Sequence, residues 1–295
     1  MVQKVIVTVA PTGGMANKAQ NPSLPTQPDE IARTVVNCYN EGASVCALHA
    51  RLPNDQATCD PEIYGAMNRM IRDKCDIILN NSTGGGVDGE MTRDIRPGLG
   101  EIIFEQRMRG LDAPLCEMAT FDCHTIMAQF HGRNLLMLTP SDLCTQMAEK
   151  FKLRGIKPEW EVFSLAHLLQ DTTRLIKEGY DKPPYFINMV LNTMGFQGGY
   201  PYSPRIVQSF LDHLPEQSVF CVSAIGPAQL PATTLAVLMG GHIRVGLEDN
   251  NYYRRGELAT NEQLVARAVR IIRELGAEPA TPAEAREILG LAPVS

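Results

Sequence analysis

Short apolar runs alternate with helix-like patterns from one end of the chain to the other. The runs fall at 4–10, 45–50, 76–81, 115–121, 157–162, 185–191, 218–223 and 242–247, and each reads as a buried strand. Amphipathic segments lie between them. After Pro28, Ile31, Val35 and Cys38 share a helical face, and Gly42 stops it. Thr139-Pro140 and Ser203-Pro204 read as N-caps with Pro at the first helical position, the second leading to Ile206, Val207, Phe210 and Leu214. Leu264, Val265, Ala268, Ile272 and Leu275 mark a helix near 261–275 that ends at Gly276. Thr281-Pro282-Ala283-Glu284 opens a last short helix with a capping box.

Eight strand–helix units in 295 residues predict an α/β fold, a (β/α)8 TIM barrel. We expect one domain over 1–295, with a short helical extension at about 281–290. A doubly wound open sheet is the alternative. A nucleotide-binding version would often carry a glycine fingerprint after its first strand, and Pro11-Thr12-Gly13-Gly14-Met15-Ala16 lacks GxGxxG.

Composition narrows the function. The net charge of −6, without a basic block, argues against nucleic acid and anionic membrane as partners. No apolar run approaches a membrane span. The chain enters a strand almost at once, so no signal peptide is expected. The eight cysteines form no CxxC pair, which fits a reducing cytoplasm better than a disulfide framework or a zinc module.

Charge gathers at strand ends, where a barrel keeps its catalytic groups. Residues i and i+2 of a strand share a face, so His49 and Arg51 are expected to point together into a barrel mouth. A hydrogen-bonded core His beside a structural Arg is the equal alternative. Arg244, Gly246 and Glu248 share a face in the last run, and Asp249 follows. Two carboxylates beside an Arg suit a metal ligand plus a base. The competing reading is an ion-pair network. Asn80-Asn81-Ser82-Thr83-Gly84-Gly85-Gly86 could receive a carboxylate or phosphate, or be a plain turn. Glu117, Thr120 and Asp122 close the fourth run, with His124 after them, and Glu159 and Glu161 close the fifth. There is no G-x-S-x-G elbow, HExxH or P-loop GK[ST].

These residues resemble the β-keto acid cleavage enzymes, the family typified by 3-keto-5-aminohexanoate cleavage. The similarity covers nearly the whole chain. It runs through Asn21-Pro22-Ser23-Leu24-Pro25, Leu48-His49-Ala50-Arg51, Ser82-Thr83-Gly84-Gly85, Glu117-Met118-Ala119-Thr120 and Pro158-Glu159-Trp160-Glu161-Val162. Its most specific parts are Gly240 to Asn250 and Ala280 to Leu289. The resemblance implies an oligomeric barrel, a dimer or tetramer. It implies a Claisen-type exchange in which a β-keto acid and acetyl-CoA give acetoacetate and a new acyl-CoA. A divalent metal, usually zinc, would be held by His49 and Glu248. Arg244 and Asp249 would generate and steady the carbanion. Ser82 and Thr120 would hold the keto acid, and Glu161 would face its distal group; Arg51, on the face of His49, is read as a further substrate-binding residue. A CoA-independent lyase or aldolase, or a barrel that binds a small acid without turnover, is the alternative.

The chain departs from the family pattern in places. Ala47 stands where the first His of His-x-His is expected, which leaves a three-ligand zinc site one short. Met15 stands where a substrate-binding Glu is expected. Asp122 and His124 replace Asn and Gly, and become candidate substitute ligands.

Overall fold

The computed structural model describes residues 2–130, 132–193 and 195–294. Eight parallel strands close a barrel in chain order. They are β1 (Val7–Val9), β2 (Val45–Leu48), β3 (Ile78–Asn81), β4 (Met118–Phe121), β5 (Lys157–Val162), β6 (Tyr185–Leu191), β7 (Ser218–Ala224) and β8 (His242–Val245). Arg244 pairs with Thr8 between β8 and β1, which closes the ring. All eight expected strands form, mostly with trimmed ends. The fourth starts late because Leu115 takes a φ of 62°, outside strand geometry. The eighth stops at Val245 because Gly246 has a φ of 147°.

The outer layer is helical: α1 (Pro28–Asn40), α2 (Pro61–Arg72), α3 (Phe104–Arg109), α4 (Ser141–Arg154), α5 (Thr173–Lys177), α6 (Pro204–Leu211), α7 (Gln229–Leu238) and α8 (Asn261–Glu274). The sequence-read faces are the buried ones, Ile31, Val35 and Cys38 on α1 and Leu264, Val265, Ala268 and Ile272 on α8. Thr139 does not cap α4. The helix begins at Ser141, and the Thr139 hydroxyl accepts from Arg107 Nη1 at 2.8 Å.

Inside the barrel, the lowest tier is apolar: Ile6, Val45, Ile78, Met118, Phe186 and Cys221. The extension, α9 (Pro282–Leu289), closes it from below with Ala285 and Leu289. Its capping box forms between Thr281 and Glu284. Arg286 Nη2 donates to Glu117 Oε1 at 2.7 Å, and Glu117 Oε2 accepts from the Leu79 N–H at 3.1 Å. Glu117 therefore ties α9 to the amino-terminal end of the strands, away from the mouth. The middle tier is polar. Glu159 accepts from Asn80 and, at 2.8 Å, from Asn188, whose amide oxygen accepts from Ser223 Oγ at 2.7 Å.

One element was not expected from the sequence. A four-stranded sheet, ordered Ile126–Phe130, Arg133–Met137, Leu99–Ile102 and Thr92–Arg96, is inserted after β3 and β4. Its inner side packs Ile102, Ile126 and Met137 on Phe163 and Val190 at the carboxyl ends of β5 and β6. The loop after β6 joins its edge through Gln197 N–H to Met127 O at 2.8 Å. This sheet caps the mouth. Among the described residues no helix is long and apolar enough to cross a membrane, and all eight cysteines are unpaired.

Candidate active site

The turn after β8 builds the floor of the mouth. A side chain at Gly246 would collide with Ala10 O, so its glycine lets β8 and β1 approach. The chain then folds back, with Glu248 N–H on Ala10 O at 3.1 Å and Asp249 N–H on Gly246 O at 3.3 Å. Gly13, at a φ of 68°, lies against the Glu248 side chain. Gly13 thus makes room for the Glu248 side chain, and Gly14 lets the turn approach Gly85 and Gly86 of the loop after β3.

Arg244 rises from β8 into the centre of this floor. Its Nε and Nη2 grip Asp249 at 2.9 and 2.7 Å, a bidentate pairing. Nη1 donates to Glu161 Oε1 at 2.7 Å, and Nη2 reaches Glu248 Oε1 at 3.4 Å. His49 ends β2. Its Nδ1 lies 2.8 Å from Gly85 O, which makes Nδ1 the protonated nitrogen. Nε2 faces the mouth, 3.5 Å from Glu248 Oε1. The other Glu248 oxygen is buried without a partner among the described residues.

The loop after β3 supplies the hydroxyl. Ser82 Oγ accepts from Gly84 N–H at 3.0 Å and from Thr120 Oγ1 at 3.4 Å. Thr120 Oγ1 also accepts from Thr83 N–H at 2.9 Å, so Thr120 sits behind Ser82 and positions it. Asp122 lies 3.7 Å from the buried Arg107.

Charge in this enclosure is uneven. Burial works against ionisation of Glu248, yet Arg244 and His49 beside it hold its carboxyl down at about 2. Burial raises Asp249 despite Arg244. Burial also raises Asp122, Glu159 and, most strongly, Glu161. Arg244 neutralises one charge, and Asp249 holds it by two bonds. Glu161 is therefore the carboxyl whose ionisation is most strongly opposed, although it lies close to the same guanidinium.

Floor and cap enclose a cavity of about 210 Å³. His49, Ser82, Asp122, Glu161, Arg244, Glu248 and Asp249 line its floor, and Met15 lies at its edge. The structure thus brings together most of the residues read from sequence. Arg51 is the clear exception. The barrel strand ends at Leu48, and Ala50–Arg51 pairs instead with Ala57–Thr58 in a hairpin. That turns Arg51 outward, where it donates to Gly13 O, Ala16 O and Asp55 O and braces the loop after β1. His124 does not join the floor either. It stacks on His167 with ring centroids 4.0 Å apart, behind Phe163, and burial pushes it well below its ordinary range. No group of three His, Cys, Asp or Glu with metal-ligand geometry occurs among the described residues. Of the two candidate substitutes for the ligand missing at Ala47, His124 is packed away from the floor and Asp122 lies on it.

The sequence profile of the β-keto acid cleavage enzymes matches residues 4–291. The chain belongs to the β-keto acid cleavage enzyme family. It is 35% identical over 292 residues to 3-keto-5-aminohexanoate cleavage enzyme of Acetoanaerobium sticklandii, covering 98% of this chain and 99% of that one. It is 31% identical to 3-dehydrocarnitine:acetyl-CoA trimethylamine transferase of Rhizobium meliloti, covering 99% and 98%. The solved binary complex of ObcA with oxaloacetate superposes with a TM-score of 0.72 at 20% identity, over 92% of this chain and 68% of that one, a likeness of fold. The barrel mouth of this enzyme is thus the candidate active site.

Proposed function

We propose that the enzyme exchanges acyl groups between a small β-keto acid and acetyl-CoA, giving acetoacetate and a new acyl-CoA. The observation that carries this reading is the floor itself. A buried Asp gripped by an Arg faces the same cavity as the His49–Glu248 pair and the Ser82 hydroxyl. Family membership supports the same chemistry.

The residues divide the work as follows. Ser82, steadied by Thr120, donates to the substrate carboxylate. Asp249 removes a proton from C2 of the keto acid, and a base raised by burial suits that task. Arg244 holds Asp249 in place and balances the negative charge that passes to the enolate. C2 then attacks the acetyl thioester, and the CoA thiolate leaves. The thiolate attacks the original keto carbon, the C2–C3 bond breaks, and acetoacetate takes the proton back from Asp249.

His49 Nε2 and the unpartnered Glu248 oxygen fit a divalent cation as two protein donors, with Ala47 offering none. Zinc suits this nitrogen-and-carboxylate set and would polarise the keto and carboxylate oxygens when bound. A reducing cytoplasmic setting, supported by the unpaired cysteines, and a homo-oligomer complete the reading.

The first test isolates the proton step. Wild-type enzyme in D2O, without CoA, should speed deuterium entry at C2 of a 3-keto acid. Asp249→Asn should lose that acceleration by roughly 10²–10⁴-fold while folding normally. An unchanged exchange rate in the variant would remove Asp249 from the mechanism.

A further inference from the structure

The cavity has two unlike halves. Every charged side chain that lines it belongs to the floor. The roof is Ile102, Ile126, Ala128 and Met137 from the cap sheet, with Phe163 and Val190 from β5 and β6. Among the described residues no charged group lines this side, and its one side-chain hydroxyl, Thr193, is neutral. Glu161 belongs to the floor, where its Oε1 accepts from Arg244 Nη1 at 2.7 Å and from Asn188 Nδ2 at 3.3 Å.

We propose that the substrate is a 3-keto acid whose far end is an uncharged hydrocarbon chain seated under the cap. This rests on the acyl-exchange reading, which fixes the orientation. The carboxylate and C2 must meet Ser82 and Asp249 on the floor, so the substituent on C3 points at the roof. A charged group there would leave water and gain no partner. Each methylene buried there instead tightens binding by about fourfold. The volume of about 210 Å³ accommodates a short chain. An apolar cavity of ~150 Å³ already takes benzene.

Three acids of equal carbon number separate the possibilities: 3-oxohexanoate, 3-keto-5-aminohexanoate and 3-oxoadipate. Calorimetric titration without CoA should show 3-oxohexanoate binding at least about tenfold more tightly than either charged acid. With acetyl-CoA, kcat/KM should follow the same order. Ala128→Asp, with its fold checked by thermal melting, should narrow or reverse the gap to the ammonium acid. Equal or tighter binding of a charged acid to wild-type enzyme would overturn the proposal, as would an unchanged ranking in folded Ala128→Asp. Selective binding of 3-oxohexanoate without turnover of any acid would instead sink acyl exchange and leave the apolar preference standing. Turnover that favours a charged acid would do the reverse.

Discussion

Arg244 carries one positive charge and meets three carboxyl groups. Its bidentate grip on Asp249 and its bond to Glu161 decide which of them ionise. These residues were legible in the sequence because charge at the end of an apolar strand has few structural uses. Arg51 was misread because the face rule holds only while the strand continues, and β2 ends at Leu48. His124 was a reasonable ligand candidate by type alone. Its stacking on His167 depends on a segment with no local signal for it. Ala47 gives the sharpest residue-level test. It pairs with Asn80 across β2 and β3, and Asn80 Oδ1 is buried without a partner among the described residues. Ala47→His would add a nitrogen ligand on the face of that strand, near an acceptor for its other nitrogen. Zinc affinity, measured by competition with a chelator, should rise by at least about tenfold. An unchanged affinity would remove His49 and Glu248 as an incomplete metal site.

At the scale of elements, strand and helix periodicity carried the barrel, and Thr281-Pro282-Ala283-Glu284 carried α9. What α9 packs against was not legible, since its contacts lie on residues hundreds of positions earlier. Leu289 sits with Ile6, Val45 and Phe186 at the bottom of the barrel. Leu289→Ala should cost about 2–5 kcal/mol of stability, read from urea midpoints, while the mouth is untouched. A loss under about 0.5 kcal/mol would mean that α9 is not a plug. The cap sheet escaped the sequence reading for a different reason. Its strands have four or five residues, and their alternation is brief. The turn signals were present, at Pro97-Gly98 and at Gly132, both glycines having a φ of 77°. Without partners in view, such runs cannot be told from loops, and with them the apolar roof of the site was missed.

For the whole molecule, the buried acids predict how stability follows pH. Glu248, held at about 2, contributes stability that is present above its unfolded value near 4.3 and lost as pH falls. Asp122, Glu159 and Glu161 are raised in the fold. Their contribution is present below their unfolded values near 4 and is lost as pH rises through the folded ones. Between about pH 7 and 8 Glu248 is ionised, and His124, His167 and His242, all lowered by burial, are neutral in both states, so the raised acids set the slope. The urea midpoint should fall across that window, and a midpoint that climbs would contradict the assignment of buried protons. The central claim, that this floor runs an acyl exchange, has a more direct test. The enzyme is incubated with a 3-keto acid and acetyl-CoA carrying ¹³C in both acetyl carbons. Mass spectrometry and NMR of the acetoacetate should find the label at C3 and C4, with unlabelled C1 and C2 donated by the keto acid and a new acyl-CoA in equal amount. Acetoacetate without label, or cleavage of the keto acid that proceeds without acetyl-CoA, would contradict it.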